Sequence, residues 1–387
     1  MSKFSYSQWI LATITIIVGL NLRPIMASIS PIVPVLANDI GINNQTAGLL
    51  TTLPVAMMGC FALLGPRIQS RVSEYIGILA GLLAIALSCG YRFFTDSTLL
   101  LLITSLIGGI GIAIIQTLMP AYLKRIAPDN ASVFMGLFTT GIMAGAAISA
   151  ATTSPLEGAF GWNIALSIMA IPAILAIILF FYYMPHIKSS RNGYLPLPIK
   201  YKNAWLLMLF FGIGTGAYTL VLAWLPLNYT QLGWSRDASG ALLSILTVAE
   251  VVSGILISIF IKKFNDRRKP LFVTLLLILV GLILLIYIPS KLAFLTVIIL
   301  GLGIGALFPL SLIVALDYAS NAKQAVTLLA FVQGGGYLIA SAFPFMAGVL
   351  IDVSSDLTGA WIGMIVGVLL LLTICNKFSP RDFVVRY

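Results

Sequence analysis

Twelve apolar runs, each long enough to cross a lipid bilayer as one helix, follow one another along the chain with only short polar breaks between them. They fall near residues 8–37, 45–68, 75–92, 97–123, 130–155 and 162–184, then near 203–231, 237–262, 270–288, 291–316, 323–351 and 357–377. A membrane helix needs roughly 20 apolar residues, so twelve spans leave no room in 387 residues for a sizeable water-soluble domain. Composition agrees, because 60% hydrophobic and 9% charged residues could not cover a soluble core with polar surface. The first run is expected to be a span and not a cleavable leader, since it runs into Arg23 and Pro24 without a small-residue cleavage site.

A net charge of +10 would permit nucleic-acid binding only if the basic residues formed one stripe, and here they sit in short loops. Their distribution orients the chain instead. With both termini in the cytoplasm, 18 of the 22 Lys and Arg residues lie inside and three (Arg92, Arg236, Lys291) outside, with Arg23 left in mid-span. Acidic residues divide evenly, with Glu250 in mid-span, but only Lys and Arg carry the rule. Cys60, Cys89 and Cys375 lie in apolar runs without metal or disulfide spacing, so no metal and no cofactor are expected.

The two sixes echo each other. At a shift of 192 residues Pro34 falls on Pro226, Gly41 on Gly233, Gly48 on Gly240, Leu50 on Leu242 and Thr52 on Ser244. At a shift of 194, Gly109-Ile110-Gly111 falls on Gly303-Ile304-Gly305. With the hydropathy, this predicts an all-α membrane protein of twelve helices in two pseudo-symmetric six-helix bundles, the parallel repeat of the major facilitator architecture. The bundles are expected over 1–184 and 203–387, joined by a cytoplasmic linker over 185–202 that carries Lys188, Arg191, Lys200 and Lys202. Such a chain reads as a secondary transporter.

Two ionisable side chains remain near mid-depth, Arg23 in the first span and Glu250 in the eighth. Either costs at least about 2.5–3.5 kcal/mol there, so each requires a partner or a wet cavity. Arg23 precedes Pro24, which removes a backbone donor and disfavours helical geometry at the arginine, and Asn21, Pro31 and Pro34 lie close by. The span should therefore be broken where its charge lies, leaving the Leu20 carbonyl open, and broken helices at mid-depth are where transporters bind substrates. Arg23 reads either as one half of a fixed salt bridge or as a planar fork of donors for a small oxyanion or carboxylate. Glu250 reads as the resting partner of Arg23, as a proton-coupling carboxyl, or as a structural group. Gln116, Tyr218, Gln333 and Tyr337 are the neutral polar candidates, each open to a helix-packing role as well. The clusters from Gly108 to Gly111 and Gly334 to Gly336 follow no strand and are read as close helix packing.

The segment Asn21-Leu22-Arg23-Pro24, the run from Gly48 to Pro54 (GLLTTLP), GGIGIAIIQTLMPAYLKR from Gly108, MGLFTTGIMAG from Met135, LGLGIGALFPLSLIVALD from Leu300 and LLAFVQGGG from Leu328 resemble the cyanate and 2-nitroimidazole transporter family within the major facilitators. The resemblance runs through both halves. The chain is expected to act as a monomer, with protons as a candidate second cargo through Glu250. The resemblance implies an inner-membrane transporter of a small anion or planar polar solute, and it sets Arg23 and Gln333 on the family's motifs. It also implies an amide where this chain has Glu250. The loop from Gly65-Pro66-Arg67 to Arg71 keeps the basic residues of the general signature and lacks its aspartate, with Glu74 the nearest acid. Proton-driven efflux of nitro-heterocycles is the second transport reading. A membrane enzyme or receptor is disfavoured, since the one histidine, His186, lies in the linker and no paired catalytic carboxylates or sensor domain occur.

Overall fold

The computed structural model describes residues 6–186 and 196–379. Lys188 and Arg191 of the expected linker lie outside the described residues. Among the described residues every regular element is helical. Twelve spans are long and apolar enough to cross a membrane, and we number them in order: Gln8–Ile40, Asn44–Gly65, Glu74–Phe94, Thr98–Ile126, Val133–Phe160 and Trp162–Tyr183, then Lys202–Gln231, Arg236–Phe260, Arg268–Tyr287, Ala293–Asp317, Gln324–Ser354 and Thr358–Cys375. Each matches one predicted run to within a few residues. Helices are the solution because lipid offers no partner for a free backbone donor or acceptor.

Burial sorts the spans into centre and rim. Of the most apolar 18-residue stretch of span 7, 89% is buried inside the protein, against 39% of the same stretch in spans 6, 8 and 12. Leu83, Leu87, Ile171, Ile178, Val366 and Leu370 point outward from rim spans, as side chains do when the medium is hydrocarbon. Tyr218 and Arg23 belong to the two most covered spans, 7 and 1.

The 192-residue repeat is a structural equivalence. Gly41 and Gly233 both take the left-handed conformation, at φ 66° and 89°, in the turns after spans 1 and 7. Two residues later Asn43 and Ser235 both cap the next helix, accepting the amides of Thr46 and Ala238 at 2.8 and 3.2 Å. Gly48 of span 2 lies against the Pro344 carbonyl of span 11, and Gly240 of span 8 lies against the Ala150 carbonyl of span 5. The Thr52 hydroxyl donates to the Ser341 carbonyl of span 11 and the Ser244 hydroxyl to the Ala147 carbonyl of span 5, both at 2.7 Å. The repeated residues are thus the seam between the two halves, used twice about a pseudo-twofold axis.

The 194-residue echo is not an equivalence. A side chain at Gly109 would meet Pro54 of span 2 and one at Gly111 would meet Gly81 of span 3, whereas Gly303 faces Ile278 of span 9 and Gly305 faces Glu250 of span 8. Corresponding neighbours are met in exchanged order, so both triplets serve close packing, as expected for Gly108 to Gly111, but the echo at 194 does not mark equivalent positions.

The face carrying the loops after spans 1, 3, 5, 7, 9 and 11 is closed across the halves. Asp352 at the end of span 11 accepts the Asn44 and Gln45 amides at the start of span 2, at 3.2 and 3.0 Å, and the Asn44 side chain at 2.9 Å. A carboxylate is favoured at a helix N-terminus by the helix dipole. Glu157 at the end of span 5 pairs with Arg236 at the start of span 8 at 2.6 Å. Ser30 of span 1 donates to the Ala223 carbonyl of span 7 at 2.7 Å. On the opposite face Glu74, left without the signature aspartate, is buried and pairs with Arg125 of span 4 at 2.9 Å, a contact inside the first half.

Candidate functional site

Span 1 breaks where its charge lies. Its first helix ends at Leu20, a single turn covers Pro24–Ala27, a 3₁₀ turn covers Ser30–Ile32, and a last helix runs over Val33–Ile40. Proline explains the first break, since Pro24 cannot donate to the Leu20 carbonyl. That carbonyl abuts Gly145 of span 5, where a Cβ would collide with it. Glycine at 145 therefore lets span 5 come up against the break, as Gly141 does one turn earlier against Ile16.

Arg23 stands at the head of the Pro24–Ala27 turn and is 3% exposed. Its carbonyl accepts the Met26 and Ala27 amides at 3.0 and 2.9 Å, but among the described residues its side chain forms no salt bridge and no hydrogen bond, and its Nε is buried without a partner. Its guanidinium carbon lies 5.0 Å from the centre of the Tyr218 ring, a cation–π contact across the two halves. The charge of Arg23 is felt at Tyr218, Tyr337 and Glu250. The fixed salt bridge weighed for Arg23 is thus not formed, nor is Glu250 its ion-pair partner.

The second half supplies the rest. Spans 7 and 11 are zipped together by Gly212 against Gly336 and Ile339, Gly216 against Phe343, and the Thr219 hydroxyl on the Ala340 carbonyl at 2.9 Å. This packing joins the two spans that carry Tyr218 and Tyr337, with Tyr337 edge-on to Phe211 at 5.3 Å. The Tyr218 hydroxyl is buried and unpartnered. Both carboxylate oxygens of Glu250 are buried and unpartnered as well. Gly305 of span 10 packs directly behind the Glu250 backbone, which fixes the base of the side chain.

The other predicted residues are placed less centrally. Asn21 donates to the Ile17 and Pro172 carbonyls at 2.7 and 3.2 Å, tying the break to span 6 and leaving only its Oδ1 unpartnered. Gln116 and Gln333 are half-buried, with no hydrogen-bond partner among the described residues. Two residues escaped the sequence reading. Ser28, in the broken segment, has a buried hydroxyl without a partner. Arg92, counted as an outside loop residue, is fully buried with its guanidinium inside the first half. A small hydroxyl five residues beyond a charged break was a legible signal for Ser28, whereas nothing in the sequence distinguishes Arg92 from a loop arginine.

Buried polar side-chain atoms without a partner therefore lie on spans 1, 7 and 8, and the Tyr218 ring of span 7 meets the Arg23 cation of span 1. Leaving a buried donor or acceptor unmade costs about 1–3 kcal/mol, more for a charge, so these groups stand apart from the hydrogen-bonded buried polar side chains around them.

Comparison with known proteins supplies the context. The model of the Major Facilitator Superfamily matches residues 11–341, and again 204–382. The cyanate transport protein CynX of Escherichia coli is 34% identical over 374 residues, covering 96% of this chain and 97% of that protein. The 2-nitroimidazole transporter of Escherichia coli is 28% identical over 383 residues, covering 96% and 95%. Among solved structures, the D-xylose–proton symporter superimposes with a TM-score of 0.78 at 17% identity, covering 98% of this chain and 99% of that one. The nucleoside transporter NupG does so with a TM-score of 0.76 at 13% identity, covering 95% and 99%.

Proposed function

Because this chain belongs to the Major Facilitator Superfamily, a family of multi-pass membrane transporters, we propose that it carries a small monovalent anion or planar polar solute of the cyanate kind by alternating access, with Arg23 as the binding group. The observation that carries this reading is the buried Arg23 guanidinium, unpaired and laid against the Tyr218 ring between the two halves. The ring meets the guanidinium on one side without taking up its donors, which leaves a fork suited to a ligand with two acceptor atoms. Tyr218 and Tyr337 wall the site, and Gln116, Gln333 and Asn21 are secondary polar contacts. Glu250 is the proton-coupling candidate, which would make the cycle a symport. The relative's name, a cyanate transport protein, supports the substrate class.

In this reading 1–184 and 203–387 rock as two bundles about the linker over 185–202 in a bacterial-type inner membrane, one chain forming one pathway. Both termini and the linker face the cytoplasm. Cysteine-labelling at Lys200→Cys and Asp356→Cys is then expected from opposite sides of the membrane. Labelling of both from one side contradicts the orientation.

Rocking must part the seam on the closed face. Tryptophan at Gly48 or Gly240 has no room against the Pro344 or Ala150 carbonyl, so either variant should hold that face apart. Transport is expected to fall at least about tenfold at normal membrane levels. A Ser30→Cys label should become reactive at the same time, and transport at the wild-type rate would show that this seam does not move.

Efflux of nitro-heterocycles is the second reading, favoured by the aromatic wall of Tyr218, Tyr337 and Phe211 and by the 2-nitroimidazole transporter among the relatives. Purified protein in proteoliposomes separates the two. Saturable uptake of cyanate, competed by other small monovalent anions and raised by an inward proton gradient, is the expected result. Movement of 2-nitroimidazole without anion competition would favour efflux.

A further inference from the structure

A second arginine, which the transport reading leaves unused, joins three spans of the first half. Arg92 ends the span 3 helix and turns its side chain into the bundle, beyond the reach of solvent. Its Nε donates to the Thr104 hydroxyl at 3.2 Å, Nη2 to the Ser105 hydroxyl at 2.9 Å, and Nη1 to the Ile25 carbonyl at 3.3 Å. Among the described residues no carboxylate pairs with it. An arginine serving only to anchor a span end would extend its head toward water, so this inward arrangement calls for a reason.

The Ile25 carbonyl gives one. In a continuous helix it would accept the Ile29 amide, four residues on. Here the Ile29 amide bonds to the Met26 carbonyl at 3.2 Å, so the break leaves Ile25 without a backbone donor. Arg92 supplies the missing one. One turn beyond Thr104 and Ser105, Gly108 of span 4 leaves room for the Ile25 side chain, where any Cβ would collide with it. The turn that follows Arg23 is therefore held at its second residue through both the carbonyl and the side chain.

We propose that Arg92 is the positioning residue of this transporter: it pins the Pro24–Ala27 turn and thereby aims Arg23 at the anion. The proposal rests on the reading of Arg23 as the anion-binding group. Lysine at 92 would keep the charge and lose the fork that bridges three acceptors at fixed angles. Glutamine would lose both.

Labelling tests the pin without reference to any substrate. With Cys60, Cys89 and Cys375 changed to alanine, a cysteine is introduced at Ser28, beside the turn, or at Ala173, buried in span 6 as a control. Adding Arg92→Gln is expected to raise alkylation at position 28 by about tenfold and leave position 173 unchanged. If that variant does not fold, Arg92→Lys is read the same way. Unchanged labelling at 28, or an equal rise at both positions, overturns the proposal. Kinetics test the aim. In proteoliposomes with radiolabelled cyanate, Arg92→Lys should raise KM about tenfold, hold kcat within about twofold, and add nothing when combined with Arg23→Lys. A fall in kcat at constant KM, or full additivity with Arg23→Lys, also overturns it. If Arg23→Lys alone leaves KM untouched, the transport reading fails instead, and the labelling still decides the role of Arg92.

Discussion

Arg23→Lys is expected to cut transport by about ten- to a hundredfold while leaving the protein in the membrane at normal levels. Lysine retains the positive charge, and Pro24 still breaks span 1 by removing its backbone donor, so the fold has no reason to fail. What is lost is shape. The guanidinium lies against the Tyr218 ring at 5.0 Å and offers a planar fork of donors, whereas an ammonium on a flexible stem presents a point charge. Hydrogen bonds to charged groups are worth about 1.5–3 kcal/mol, and losing one of a bidentate pair in a buried site gives the range stated. Tyr218→Phe should keep most of the activity, because the ring and not the hydroxyl faces the cation. Tyr218→Leu should approach the Arg23→Lys defect, and wild-type transport by that variant would remove the aromatic wall from the account.

Glu250→Gln is the second large effect, and it should fall on energy coupling alone. Importing a monovalent anion against an inside-negative potential costs about 2.3 kcal/mol per 100 mV, which one accompanying proton cancels. Glu250 is buried, both of its oxygens are unpartnered, and the charge of Arg23 reaches it without forming an ion pair. In the proposed cycle an anion on Arg23 would compete with the Glu250 carboxylate for that positive charge, which would tie occupancy to protonation of the carboxyl. Glutamine fills the same volume and cannot carry the proton. The variant should exchange substrate across the membrane at near the wild-type rate yet fail to accumulate it under a proton gradient. Accumulation equal to wild type would make Glu250 structural.

Much of the architecture was legible because lipid enforces it. Each span had to be a continuous apolar run, and the seam between the halves had to be built twice, so Gly48 with Gly240 and Thr52 with Ser244 were visible as repeats before their contacts were known. Arg23 and its break were legible for the same reason, since a charge beside a proline at mid-depth is too costly to be incidental. The Gly-Ile-Gly echo misled because close packing needs only a small residue on the correct face, and two glycines two positions apart can exchange neighbours. Arg92 was hidden because its position at a span end is that of an ordinary loop residue. Only the fold reveals that its side chain turns inward to a carbonyl freed by a break 67 positions away in the chain. The pairing of Tyr218 with Arg23 was equally illegible, because it depends on how one half docks against the other.

The claim on which the rest depends is that Arg23 binds the anion. Titration calorimetry of cyanate into purified wild-type protein and Arg23→Lys in detergent tests it directly. The wild type should give a saturable isotherm that other small monovalent anions suppress, and Arg23→Lys should show affinity weakened by at least about tenfold, or about 1.4 kcal/mol, with an unchanged elution profile. Equal affinity in the two proteins would contradict it.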